Sequence, residues 1–169
     1  MQIKIVTVFL LTGLLGLPLG SMAADLSKPE GAVILTVRGN ISNTNANREA
    51  LFDRQMLEQL PQTKITTHTP WTKGLHVYEG VLLNDLLEKV GASGHKLVAK
   101  ALNDYHAEID LAALRDYPIL LAIKTDGVFM RVRDKGPIWI IYPLSDYSEL
   151  DTIKRYEEMV WQLTSLEVY

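Results

Sequence analysis

The sequence predicts a single mixed α/β domain, of the α+β kind with a mixed or mainly antiparallel sheet. Three observations carry that prediction. Short β-branched and apolar runs outnumber helical runs along the chain. The helical runs are brief and scattered between the strands, without the regular alternation of a doubly wound sheet. The length of 169 residues suits one domain with a substantial core and not two.

Residues 1–23 read as an export signal. Lys4 gives a positive start, an apolar run reaches Leu19, and Ser21, Met22 and Ala23 offer small residues where a signal peptidase inspects the chain. Gly13, Gly16, Pro18 and Gly20 interrupt the run, which is short for a membrane span, so a cleaved signal is favoured over an anchor. No twin-arginine pair precedes it, which points to the general export route and a periplasmic or secreted protein.

Residues 24–31 form a polar, mobile linker, and residues 32–169 form the domain. Ala32 to Gly39 is a buried strand, and Ile41 to Arg48 is rich in turn formers. Asp53 caps a short helix, RQMLEQL, which places Met56, Leu57 and Leu60 on one side and stops at Pro61. Thr63 to Thr69 is a β-branched strand held extended before Pro70 and Trp71. Gly80 opens the clearest helix, VLLNDLLEKV, whose Val81, Leu82, Leu86, Leu87 and Val90 recur at helical spacing before Gly91. Lys96 to Leu102 and His106 to Ile109 are strands joined at Asn103-Asp104-Tyr105, after which Asp110 caps LAALRD. Leu120 to Pro143, LLAIKTDGVFMRVRDKGPIWIIYP, reads as two strands turning at Asp126-Gly127, a charged Gly-Pro loop and a third strand. Alternation along the second of these strands sends Arg131 and Arg133 from one face, with Lys135 following in the loop. A short helix within Leu150 to Glu158 and a final strand in MVWQLTSLEV complete the chain.

Seventeen basic and 20 acidic residues give a formal charge of −3, and loss of the signal removes one further positive charge with Lys4. That balance excludes a general nucleic-acid binder. An exported chain without cysteine is stabilised by burial and not by disulfides.

An ordered set of segments resembles the molybdopterin-binding domain of the sulfite oxidase family. The set is Ile65 to Thr69; Tyr78-Glu79-Gly80-Val81-Leu82-Leu83 with Leu86-Leu87; Leu121-Ala122 with Asp126-Gly127; Gly136-Pro137-Ile138-Trp139-Ile140-Ile141-Tyr142-Pro143; and Trp161-Gln162-Leu163 before Leu166-Glu167-Val168. It spans the chain from about Leu35 onward and is most similar to small exported members of that family. The resemblance implies the family's fold, a molybdopterin cofactor and oxidoreductase activity. Two departures weigh against the activity. The molybdenum-ligating cysteine falls on Thr69, or on His68 if the register slips by one, and a hydroxyl does not replace a thiolate. Catalytic members carry an arginine where this chain has Trp139.

The candidate site is therefore His68, Thr69 and Trp71 at the strand end, with Arg131, Arg133 and Lys135 as anchors for a phosphate or carboxylate. Asp126 and Asp134 are the expected counter-charges. His68, His76, His95 and His106 show no metal-ligand spacing, and Ser145 and Ser148 no nucleophile motif. The expected function is a non-catalytic binding module for a small anionic ligand or cofactor. The alternatives are an interaction partner of a membrane sensor or reductase, and a molybdopterin-dependent oxidoreductase.

Overall fold

The computed structural model describes residues 26–169, so the predicted export signal lies outside the described residues. The strands are β1 (Val33–Gly39), β2 (Ala50–Asp53), β3 (Gln62–Thr67), β4 (His76–Leu82), β5 (Lys96–Ala101), β6 (His106–Asp110), β7 (Leu120–Thr125), β8 (Val128–Phe129), β9 (Trp139–Ile141) and β10 (Leu163–Val168). Four short helices lie among them: α1 (Arg54–Gln59), α2 (Leu83–Lys89), α3 (Leu111–Leu114) and α4 (Ile153–Glu158).

The strands form two sheets of five. The first runs β2-β1-β10-β5-β6, with β10 parallel to β1 and antiparallel to β5. The second runs β3-β4-β7, after which β9 pairs Leu120, Leu121 and Ala122 of β7 while β8 pairs Lys124 and Thr125. Leu35, Leu97, Leu120, Ile140, Leu163 and Leu166 are fully buried in one continuous core. Strands that are apolar on both faces, such as the Leu120–Ile123 half of β7, are covered on both sides.

The helix expected to open at Gly80 begins three residues later. Gly80, Val81 and Leu82 extend β4, because Gly80 pairs with Ala122 at a register shift where the two backbones come very close. A Cβ at Gly80 would be driven into the Leu121 carbonyl oxygen, so the glycine permits a strand contact and does not start a helix.

The alternation expected through Arg133 also ends early. β8 stops at Phe129, and Val132–Asp134 is a 3₁₀ turn. The Asp134 and Gly136 N–H groups both return to the Arg131 carbonyl at 2.8 Å. These local bonds outcompete continued pairing with β7, and the shared-face argument for Arg131 and Arg133 fails with it.

The linker is held down. Leu26 is buried, and the N–H groups of Glu30 and Gly31 donate to Asp53 Oδ2 at 2.9 and 2.7 Å. Asp53 Oδ1 also accepts from Met56 N–H at 2.9 Å, so the predicted cap of α1 anchors the segment before β1 as well. Those donors hold the Asp53 carboxyl below the usual carboxylate range.

Candidate functional site

The connection between β3 and β4 carries Thr69, Trp71 and Thr72 across the open end of the second sheet. Its far end is tied to the β7–β8 turn through His76. The ring Nδ1 lies 2.7 Å from Asp126 Oδ2 and Nε2 lies 3.1 Å from the Lys73 carbonyl. Both ring nitrogens thus face acceptors, an arrangement that the doubly protonated imidazolium satisfies completely. The hydrogen bond to Asp126 raises the His76 pKa, and the same bond with that from Val77 N–H lowers that of Asp126. Asp126 is therefore engaged with His76 and does not balance the arginines.

Trp71, 38% exposed, sits edge-on to Trp161 with ring centroids 5.1 Å apart and 6.1 Å from Trp139. Trp139 is buried, and its ring N–H donates to the Met159 carbonyl at 3.0 Å, so the position where the family resemblance implies a cation is part of the core. The cation that lies beside these rings is Lys135. Its backbone is left-handed, with φ of 72°, and its Nζ lies 5.0 Å from the Trp161 centroid and 5.6 Å from that of Trp139. Gly136 makes this turn possible, since a Cβ there would collide with the Met130 carbonyl. Gln162 clamps the loop, its backbone N–H bonded to the Lys135 carbonyl and its side chain to that of Val132.

Lys135, Arg133, Thr72, Tyr78 and Trp139 line a pocket of about 300 Å³. Tyr78 is fully buried, and its hydroxyl has no hydrogen-bond partner among the described residues. The hydroxyls of Thr69 and Thr72, which bond each other at 2.8 Å, lie beside it without meeting hydrogen-bond geometry and ease its ionisation slightly. Burial pushes the Tyr78 pKa up, so the hydroxyl keeps its proton and remains a donor.

The six residues expected at the site divide into three groups. Thr69, Trp71 and Lys135 come together around the tryptophans, and Arg133 joins Lys135 on the pocket rim. Arg131 turns away, its Nε donating to Asp134 Oδ2 at 2.6 Å, and it does not line the pocket.

His68 also points elsewhere. Its Nδ1 lies 3.0 Å from Ser145 Oγ and its Nε2 lies 3.4 Å from Asp151 Oδ2. This Ser–His–Asp row was invisible in the sequence, because its members come from the end of β3 and two separate turns after β9. It has the order of a nucleophile triad without the surroundings of one. The Ser145 N–H is consumed by Thr67 Oγ1 at 3.0 Å, and Ser145 Oγ also meets the Thr67 hydroxyl and the His68 N–H at 3.2 Å each. The row latches β3 to the segment following β9.

Sequence reasoning missed Tyr78 and Thr72. Tyr78 is an inward aromatic of β4, and only the lack of a partner for its hydroxyl distinguishes it. Among the described residues no cluster of three or more His, Cys, Asp or Glu side chains gathers as a metal site. No helix among them is long and apolar enough to cross a membrane.

Two antiparallel-dominated sheets with a cleft at the strand end of β3 define the class of fold, and comparison with solved structures specifies it further. The crystal structure of the sulfane dehydrogenase SoxCD from Paracoccus pantotrophus superposes with a TM-score of 0.62 at 18% identity, over 80% of this chain and 37% of that one. The chain thus spans little more than a third of that protein's length, and the likeness carries the fold alone. The fold is a mixed α/β single domain like the matching part of SoxCD. No protein-family model matches the sequence, and no curated protein matches it.

The residues present do not fit a thiolate-ligated molybdenum. Thr69, only 3% exposed, has its hydroxyl committed to Thr72 and to the Trp71 N–H, and the chain has no cysteine to take its place.

Proposed function

We propose that the protein is an exported binding module that holds a small anion in the pocket between the β3–β4 connection and the Arg131–Pro137 loop, without redox catalysis at that site. The observation that carries this reading is the Tyr78 hydroxyl. A buried hydroxyl without a partner costs roughly 1–3 kcal/mol. A ligand oxygen in the pocket would receive its proton and recover that cost. Arg133 and Lys135 stand on the same rim as Asp134, whose carboxylate lies 2.6 Å from Arg131 and 3.8 Å from Arg133, and among the described residues Lys135 has no carboxylate partner. A carboxylate or phosphate matches two cations and a neutral donor. The leader-like residues 1–23 support export, and the buried Thr69 supports loss of the metal chemistry.

The test is the melting temperature in the presence of inorganic phosphate, sulfate and small dicarboxylates. A saturable rise is expected with at least one of them. The double variant Arg133→Ala, Lys135→Ala should abolish that rise, and Tyr78→Phe should weaken it while leaving the ligand-free protein at least as stable. A rise unchanged in the double variant would count against this pocket. Stoichiometric molybdenum and pterin in protein from a cofactor-producing host would overturn the non-redox reading.

A second reading, docking to a membrane sensor or reductase, has its own support. Val33, Leu102 and Val132 are exposed and share one shallow depression with Pro137, on the same loop that shapes the pocket.

A further inference from the structure

A second cavity, of about 270 Å³, opens on the other side of the tryptophan cluster. Trp71 and Trp161 form one wall, α4 supplies Tyr156 and Glu157, and the β5–β6 turn supplies Tyr105. Four aromatic rings line the space, with Ile153, Met159 and Val160 adding aliphatic wall, and its size suits a compact head group and is small for a drug-sized molecule, whose sites run from about 300 to 1,000 Å³.

The rings are fixed in place. Trp71 stands edge-on to Trp161 and to Tyr156, with centroids 5.1 and 6.4 Å away. The Tyr105 hydroxyl donates to the Glu157 carbonyl at 2.8 Å, and the Tyr156 hydroxyl donates to Asp151. Donation to a carboxylate draws negative charge onto the Tyr156 ring, which strengthens its pull on a cation.

The charge around the cavity has one sign. Glu157 is its one charged lining residue, and neighbouring cations are turned to other partners: Lys100 to Asp104 and Arg155 to Glu158, both at 2.7 Å. The cluster already seats one cation, since Lys135 lies over Trp139 and Trp161 without lining this cavity. An aromatic enclosure with a carboxylate at its edge selects a large, weakly hydrated cation over a neutral body of equal shape.

We propose that this cavity is an aromatic cage for a small organic cation of the quaternary or methylated ammonium class. It is independent of the anion pocket, from which it differs in lining, in charge and in the face of the tryptophan cluster that it uses.

The experiment titrates the purified protein with choline, tetramethylammonium and 3,3-dimethylbutan-1-ol, the neutral isostere of choline, reading tryptophan fluorescence and calorimetric heat. Both cations should bind saturably, and the isostere at least about tenfold more weakly than choline. Trp71→Ala should weaken choline about tenfold or more, and the surface change Glu157→Gln about threefold, with little effect on the isostere. The single variant Arg133→Ala, which leaves the cation over Trp161 in place, should keep choline binding, so failure of the anion pocket and failure of the cage are read separately. Equal affinity for choline and its isostere would overturn the proposal. So would the absence of saturable binding by either cation, or choline affinity unchanged in both cage variants with their folds verified by melting.

Discussion

At the scale of single residues, the structure turns on where polar atoms find partners. His76 gives the clearest consequence. Its pKa is raised by Asp126, so the stability it contributes is fully present below the unfolded histidine value of about 6.5 and is lost as pH rises through the higher folded value. Asp126, with its pKa lowered, contributes above the unfolded carboxylate value of about 3.9 and loses that contribution as pH falls through its lower folded value. The pair is therefore strongest between those limits. The wild-type melting temperature should fall by about 2–4 °C between pH 5.5 and 8.5 relative to His76→Ala, the scale of a partly exposed pair worth up to about 1 kcal/mol. Identical pH profiles for the two proteins would show that the bond contributes nothing. Little of this was legible in the sequence. His76 and Asp126 are fifty positions apart, and only the pairing of β4 with β7 brings them together. Asp53 and Asp110 were legible as caps because capping is local, whereas the second duty of Asp53, on Glu30 and Gly31, depends on tertiary contact.

At the scale of elements, the two misread segments failed for one reason. Gly80-Val81-Leu82 continues a helical pattern, and Val128 to Arg133 continues a strand pattern, but in each case the backbone answers to a neighbour. Gly80 faces the Leu121 carbonyl, and residues beyond Phe129 fold onto the Arg131 carbonyl. Gly80→Ala should therefore cost about 2–3 kcal/mol, despite alanine's better helix propensity, and lower the melting temperature by roughly 5–10 °C. A neutral or stabilising effect in thermal melts would show that β4 and β7 can separate locally. The early end of β8 also redistributes the charged triplet: Arg133 and Lys135 share a pocket with Asp134, to which Arg131 donates from outside it.

At the scale of the whole molecule, the mixed sheet content read from the sequence agrees with the two-sheet structure, and the likeness to SoxCD supports the fold that the resemblance implies and nothing finer. The division into two sheets, and the apposition of Trp71, Trp139 and Trp161 from three distant segments, required coordinates. Alternation tells which residues of a strand are buried and says nothing of which strand lies beside it. The place of β10 shows how much depends on that order. Leu163, Leu166 and Val168 are buried, each worth about 1.5–3 kcal/mol, and the strand holds β1 to β5. Removing residues 163–169 should take away a large part of the domain's margin of about 5–15 kcal/mol, together with the strand that joins β1 to β5, and leave no cooperative thermal transition. A truncated protein that melts sharply would show that the two halves of the first sheet can pair without it. The position of β10 also sets the timing of folding. Among the described elements the strand that completes the first sheet comes last in the chain, so β1 and β5 are synthesised before the partner they share, and the first sheet closes only once β10 has been added.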